Sequence, residues 1–69
     1  MKLSARNQFK GTITAIQEGA VNGIVQIDIG HGNVVSATIS MNAIKELELA
    51  VGKEAYAVIK ATSVMVGID

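Results

Sequence analysis

Cysteine, proline and tryptophan are absent from this 69-residue chain, and phenylalanine and tyrosine occur once each. Without cysteine, the chain has neither a disulfide nor a thiolate metal site to stabilise its fold. A chain of this length forms one domain at most, and folding buries only about 60% of the surface that the unfolded chain exposes. Residues 1–69 are therefore expected to form a single small domain that is stabilised by packing or by association.

Neither sign of charge is in excess. Six lysine and arginine residues balance six aspartate and glutamate residues. Proteins that bind nucleic acid through its phosphates normally carry a basic stripe on their surface. No nucleic-acid partner is therefore expected.

Long apolar runs are missing as well. The longest, Ala55–Ile59, is far shorter than the ~20 residues that a transmembrane helix needs. The first seven residues, Met1–Asn7, carry charge but no apolar run behind it, unlike a signal peptide. The expected location is the cytoplasm, and no membrane partner is expected.

Aliphatic side chains are what the chain has in abundance: 49% of the residues are hydrophobic and only 17% are charged. A monomer of this size has too little interior to bury so many apolar side chains, and large exposed apolar patches usually mark interfaces. The composition therefore predicts a homo-oligomer.

Alternating apolar residues divide the chain into short strands. The pattern predicts strands at 9–16, 24–29, 33–39, 55–60 and 64–68. In the first of these, alternation puts Phe9, Gly11, Ile13 and Ala15 on one face and leaves Ile16 on the other.

The period changes between the third and fourth predicted strands. Met41, Ile44 and Leu47 recur every three residues after Ser40, a suitable N-cap, and so predict a two-turn helix that ends near Glu48. Five short strands in this order are typical of an all-β, OB-fold-like five-stranded Greek-key barrel with one short helix between strands 3 and 4. An SH3-like barrel is the main alternative fold.

Familiar catalytic constellations are missing. There is no cysteine nucleophile, and the only histidine, His31, lies between Gly30 and Gly32 in a predicted hairpin loop. Glu46 and Glu48 are two positions apart, so their side chains do not face each other on a helix. No histidine pair or carboxylate cluster has the spacing of a zinc, calcium or magnesium site. We expect a protein that is not an enzyme, has no cofactor and holds no directly coordinated metal cation.

Hydrogen-bond donors occur together at the start of the chain, at the helix N-terminus and at the end of the fourth strand. They are Ser4, Arg6, Asn7, Ser40, Lys60, Thr62 and Ser63. Arginine presents a rigid fork and lysine a compact charge, and together with hydroxyls they suit a small tetrahedral dianion. Each residue also has a structural interpretation: Lys60 as an exposed strand residue, Ser40 as a cap alone, and Arg6 as part of a frayed terminus.

Seven short motifs extend over almost the whole chain. They are Ser4-Ala5-Arg6-Asn7-Gln8, Gly11-Thr12-Ile13, Gly19-Ala20-Val21-Asn22, Ala37-Thr38-Ile39-Ser40, Leu47-Glu48-Leu49, Gly52-Lys53 and Val58-Ile59-Lys60-Ala61-Thr62-Ser63-Val64. In sequence and spacing they resemble the molbindins, the small cytoplasmic molybdate-binding proteins of the Mop family. Similar modules occur in molybdate-responsive transcription regulators and transporter ATPases. With no helix-turn-helix or ATPase attached here, the resemblance implies the free-standing storage or buffering form, a single Mop domain at 1–69.

The resemblance also implies a site and an assembly. Members of the family form hexamers, arranged as trimers of dimers, and bind molybdate or tungstate at subunit interfaces. In the segment before the helix, where the family usually reads Ile-Thr-x-x-Ser, Ser40 keeps a hydroxyl and Ala43 lacks one. The predicted oxyanion site consists of Ser4, Arg6, Asn7, Ser40, Lys60, Ala61 and Thr62. A possible second oxyanion site consists of Gly19, Val21 and Asn22.

The chemistry of molybdate suits such a set of donors. At neutral pH it is a fully deprotonated tetrahedron that only accepts hydrogen bonds, whereas the proton of monohydrogen phosphate would find no partner, at a cost of roughly 1–3 kcal/mol. Two other functions stay open at this point. One is an OB-type single-stranded nucleic-acid-binding module, which normally needs a basic groove and stacking aromatics. The other is a structural assembly module without a ligand.

Overall fold

Antiparallel pairing joins four strands into one sheet in the computed structural model, which describes residues 1–69. The elements are β1 (Asn7–Gln17), β2 (Asn22–Gly30), β3 (Asn33–Ser40), α1 (Met41–Glu46), β4 (Glu54–Ile59) and a single 3₁₀ turn (Ala61–Ser63). The strand order is β3-β2-β1-β4. Strands β1, β2 and β3 follow one another as hairpins, and the chain then returns through α1 so that β4 lies beside β1.

One face of the sheet holds the core. Ile13 from β1, Val25 and Ile27 from β2, and Ala57 from β4 are buried there, and Ile44 of α1 completes the cluster. Buried or half-buried residues alternate with exposed ones along most of β2, β3 and β4, as the strand pattern predicted. Burial of aliphatic side chains on this one face is what holds the curled sheet in shape.

A β-bulge corrects the predicted faces of β1. Ile13 pairs with Ile27, but the next paired residue, Ala15, lies opposite Gln26, so Thr14 is an extra residue in the strand. An extra residue reverses the alternation beyond it. Ile16 therefore packs against the core and Ala15 is exposed, the reverse of the simple period-2 prediction.

The β2–β3 hairpin turns through His31 and Gly32. Gly30 pairs with Asn33, and both turn residues have positive φ, +54° and +77°. This is the backbone that two-residue hairpin turns favour, and glycine adopts it without steric cost. His31 is thus exposed at a hairpin tip.

Helix α1 is shorter than predicted. The Oγ of Ser40 accepts a hydrogen bond from the Ala43 N–H at 3.0 Å and caps the N-terminus. The helix ends at Glu46, and Glu48 then adopts φ +53°. Because the chain turns there, Leu47 is 66% exposed, and Leu49 packs against the core instead. Leu47, which the three-residue period placed in the helix, therefore lies outside it.

The predicted fifth strand is absent. Residues 64–69 pair with no strand, and Met65, Val66 and Ile68 are more than 90% exposed. An alternating apolar segment forms a strand only where an edge offers it N–H and C=O partners, and within this one chain no edge pairs with it. The prediction of an all-β domain with one short helix is confirmed, but the five-stranded Greek-key barrel is not.

An apolar groove lies between β3 and β4, the two edge strands of the curled sheet, over the inward side chains of β2. It has a volume of about 470 Å³, and eleven of its twelve lining residues are hydrophobic, among them Ile39 of β3 and Ala55 of β4. Neither helical element has the length or the apolar character that crossing a membrane demands.

Candidate anion-binding site

A cavity of about 430 Å³ opens beside the start of β1 and the end of β4. Its lining residues are Leu3, Ser4, Ala5, Arg6, Val58, Lys60, Ala61 and Thr62. Five of the seven residues predicted for the oxyanion site are among them. They come from two segments that are more than fifty positions apart in the sequence.

The pairing of β1 with β4 brings these segments together. Asn7, the first residue of β1, pairs with Ile59, the last residue of β4. In an antiparallel pair, the residues that precede one strand lie beside those that follow the other. Arg6 therefore lies next to Lys60, and Ser4 lies on the same side of the molecule as Ala61.

The cavity is electropositive. Neither Arg6 nor Lys60 takes part in a salt bridge, because the single ion pair of the chain joins Lys10 to Glu54 at 3.4 Å between Nζ and Oε1. No carboxylate lines the cavity. Two cations and two hydroxyls without an acidic partner are a set of groups that can donate to an anion and offer it little repulsion.

The turn after β4 adds backbone donors. The 3₁₀ turn begins at Ala61, and its only backbone bonds run from Ser63 N–H to Lys60 C=O at 2.9 Å and from Val64 N–H to Ala61 C=O at 3.3 Å. The first N–H groups of a helical turn have no partner within it. Ala61 and Thr62 therefore present free N–H groups next to the Lys60 side chain.

Asn7 lies just outside the cavity. It is half-buried, and its Nδ2 donates to the Ile59 carbonyl oxygen at 3.3 Å across the β1–β4 pair. Its neighbour Gln8 donates from Nε2 to the Ala5 carbonyl oxygen at 2.9 Å. Both amides thus bind backbone at the edge of the cavity.

Ser40 lies far from this cavity within the chain. It pairs with Asn22 at the start of β2, on the far side of the sheet from Lys60. Because β1 has eleven residues between these two ends, the separation along the strand is roughly 33 Å. Ser40 and Lys60 do not line a common cavity in one chain.

A second, smaller cavity of about 260 Å³ lies near Ser40. Gly19 and Asn22 line it, whereas Val21, the third residue predicted for a second oxyanion site, points outward and is 74% exposed. The cavity contains the Glu18 carboxylate and no cation. Within one chain, this cavity is thus less suited to a dianion than the first one.

Sequence reasoning missed the apolar part of the first cavity. Leu3, Ala5 and Val58 line it beside the donors. Val58 was foreseeable, because it lies two residues before Lys60 and hence on the same face of β4. In the second cavity, Thr38 of β3 was missed in the same way, since strand alternation puts it on the face of Ser40.

No group of three or more histidine, cysteine, aspartate or glutamate side chains is arranged to hold a metal ion. His31 stands alone at its hairpin tip. The chemistry that the described residues offer is donation of hydrogen bonds and positive charge to an acceptor.

Comparison with known families identifies the group to which the chain is related. A model of the TOBE domain matches residues 3–66. The chain belongs to the TOBE-domain family. Within that family, it is 67% identical over 69 residues to a probable molybdenum-pterin-binding protein of Haemophilus influenzae, a match that spans the whole of both chains. The resemblance to the Mop family is thereby confirmed.

Solved structures of TOBE-domain relatives share the fold. The chain is 37% identical to MopII from Clostridium pasteurianum in a form termed apo2, with a TM-score of 0.91 over 97% of this chain and 100% of MopII. It is 51% identical to ModG, described as a cytoplasmic molybdate-binding protein and solved with molybdate bound. That match has a TM-score of 0.83 and spans 88% of this chain and 43% of ModG.

Proposed function

We propose that this TOBE-domain protein binds molybdate, accepts tungstate as well, and stores or buffers these oxyanions inside the cell. The observation that carries the proposal is the cavity in which Arg6 and Lys60 lie together without any carboxylate. The molybdate-bound structure of ModG, which is 51% identical to this chain, supports the same ligand.

The ligand occupies the cavity as an acceptor. Arg6 and Lys60 supply positive charge, Ser4 and Thr62 supply hydroxyl donors, and Ala61 supplies a backbone N–H. Molybdate accepts hydrogen bonds from all of these groups and has no proton of its own to donate. Monohydrogen phosphate carries a proton, and no carboxylate lines the cavity to accept it, which favours molybdate. No bond is made or broken, so the role is binding and release without a cofactor.

Assembly into a homo-oligomer completes the site. The tail at 64–68 is apolar and exposed, and the groove between β3 and β4 is apolar and open. A tail that pairs with another copy buries both surfaces. Contacts between copies also bring the Ser40 of one chain towards the Arg6 and Lys60 of another, which one chain alone does not do. We infer a hexamer built as a trimer of dimers, with the oxyanions at its subunit interfaces.

Three further parts of the proposal follow from the same features. Residues 1–69 act as a single Mop domain. The protein works in the cytoplasm, the compartment named for ModG. The second cavity, with Gly19 and Asn22, takes an oxyanion only in the assembly, where another copy supplies the cation that this chain does not.

The nucleic-acid-binding alternative is not favoured, since the chain has neither net positive charge nor clustered aromatics.

Thermal unfolding with added oxyanions tests the proposal. A ligand at 100 times its Kd stabilises the folded form by about 2.7 kcal/mol, which for a domain of this size raises Tm by roughly 10 °C or more. Molybdate and tungstate should each give such a shift, and phosphate at the same concentration should give little. An unchanged Tm with both metal oxyanions would overturn the proposal.

A further inference from the structure

Two side-chain amides hold the two peptide groups that immediately precede the cations of the cavity. The carbonyl that accepts from Asn7 Nδ2 at 3.3 Å belongs to the peptide that joins Ile59 to Lys60. The carbonyl that accepts from Gln8 Nε2 at 2.9 Å belongs to the peptide that joins Ala5 to Arg6. The two amides are neighbours in the sequence, and neither residue lines the cavity.

Both of these peptides lie where regular structure stops. β4 ends at Ile59, and Lys60 connects it to the 3₁₀ turn, while the residues before Arg6 belong to no strand or helix. Chain segments outside the hydrogen-bonded strand pairs are poorly ordered unless other contacts hold them in place. The orientation of a peptide plane limits the direction in which the next Cα–Cβ bond leaves the backbone. A hydrogen bond to each carbonyl therefore restricts where each cationic side chain begins.

We propose that Asn7 and Gln8 are positioning residues of the oxyanion site, with Asn7 acting through Lys60 and Gln8 acting through Arg6. The inference rests on the proposed molybdate binding. It also assigns a role to Asn7 other than direct contact with the anion, because its amide already donates to the backbone. A site whose donors are held in place before the ligand arrives loses less conformational freedom on binding and so has a higher affinity.

The two amides bind carbonyl groups of two different segments, the end of β4 and the residues before β1, so each amide affects a different cation. Removing the Gln8 amide frees Arg6, and removing the Asn7 amide frees Lys60. Each amide should therefore be coupled to its own cation and independent of the other one. A general effect on folding would produce no such pairing, since it would weaken binding by the same factor in every background.

Titration calorimetry with molybdate on the assembled protein tests this. Gln8→Met and Asn7→Leu remove the donors and keep side chains of similar size, and each should weaken binding by about two- to tenfold, the range of one net hydrogen bond. Gln26→Met, at an exposed position on β2, is the matched control and should leave the affinity unchanged. The Tm without ligand should change little in Gln8→Met, because that amide is exposed.

Double variants supply the deciding measurement. In an Arg6→Ala background, where Lys60 still allows weak binding at millimolar molybdate, Gln8→Met should have less than a twofold effect, while Asn7→Leu keeps its full effect. The pattern should reverse in a Lys60→Ala background. Equal losses in both backgrounds, or single variants with wild-type affinity, would overturn the positioning role. Failure of the wild-type protein to bind molybdate would instead overturn the proposed function.

Discussion

Ser40 and Lys60, two donors predicted for one oxyanion site, lie at opposite ends of the central strand β1 and on opposite edges of the sheet. Within one chain they line no common cavity. The Lys60 end already has a second cation and two hydroxyls, whereas the Ser40 end has a carboxylate and no cation. If both residues contact the same anion, the site must combine two copies of the chain, and assembly and binding then depend on each other.

Arg6 and Lys60 should dominate the affinity for molybdate. Replacing either by alanine removes a charge-assisted hydrogen bond, and we expect a loss of roughly 10- to 100-fold in affinity, measured by titration calorimetry. Their side chains are exposed and make no salt bridge, so the Tm without ligand should stay near that of the wild type. Lys45→Ala, at an exposed position on α1, is the charge-matched control. Wild-type affinity in both site variants would show that the anion binds elsewhere.

Ser40 should show two separable roles, in stability and in binding. Its Oγ caps α1 by accepting from Ala43 N–H, and its hydroxyl proton remains available to donate. Ser40→Ala loses both functions, and we expect about 1 kcal/mol lower stability together with weaker molybdate binding. Ser40→Asp keeps a good cap but puts a negative charge where the donor was, so its stability should be preserved while its affinity falls. Chemical denaturation and calorimetry measure the two effects. An affinity for Ser40→Asp equal to that of the wild type would exclude Ser40 from the site.

The exposed tail should control assembly. Val66→Lys places a charge in the middle of an apolar segment that is 93% exposed at this position in the single chain. Burying that charge between copies is unfavourable, so we expect light scattering to give a smaller mass than for the wild type. Molybdate affinity should fall with it. Asn42→Lys, which adds the same charge at an exposed position of α1, is the control. A wild-type mass for Val66→Lys would mean that the tail lies outside the interface.

Gly23 should be required for the close packing of α1 against the sheet. A Cβ at this position would lie 2.7 Å from Ile44 Cδ1 and 2.9 Å from Met41 Sδ. Gly23→Ala forces these two side-chain ends to move within the core, and overpacking of this kind costs about 1–3 kcal/mol in the free energy of unfolding. Lys45→Ala, at an exposed position on α1, is the control and should be near neutral. Equal denaturation midpoints for the two variants would show that the helix adjusts without strain.

Alternation along the chain was enough to find β2, β3, β4 and the inward residues on them. It also named five of the residues that line the candidate cavity, because these residues lie in two short segments whose chemistry is visible without coordinates. The bulge at Thr14 was not foreseeable in the same way. An extra residue in a strand leaves no mark in a local pattern, yet it moves Ile16 to the core and Ala15 to the surface.

The sequence by itself determined the secondary-structure order up to β4, the aliphatic excess, the net charge of zero and the identity of the donors, because these depend on composition and on contacts between near neighbours. The tertiary structure decided which donors meet. The pairing of Asn7 with Ile59 puts Arg6 beside Lys60, whereas the pairing of Asn22 with Ser40 carries Ser40 to the other end. Residues 64–68 alternate as a strand does, but they form no strand in the single chain. The tertiary structure decided this as well, because a strand depends on hydrogen bonds to a partner edge.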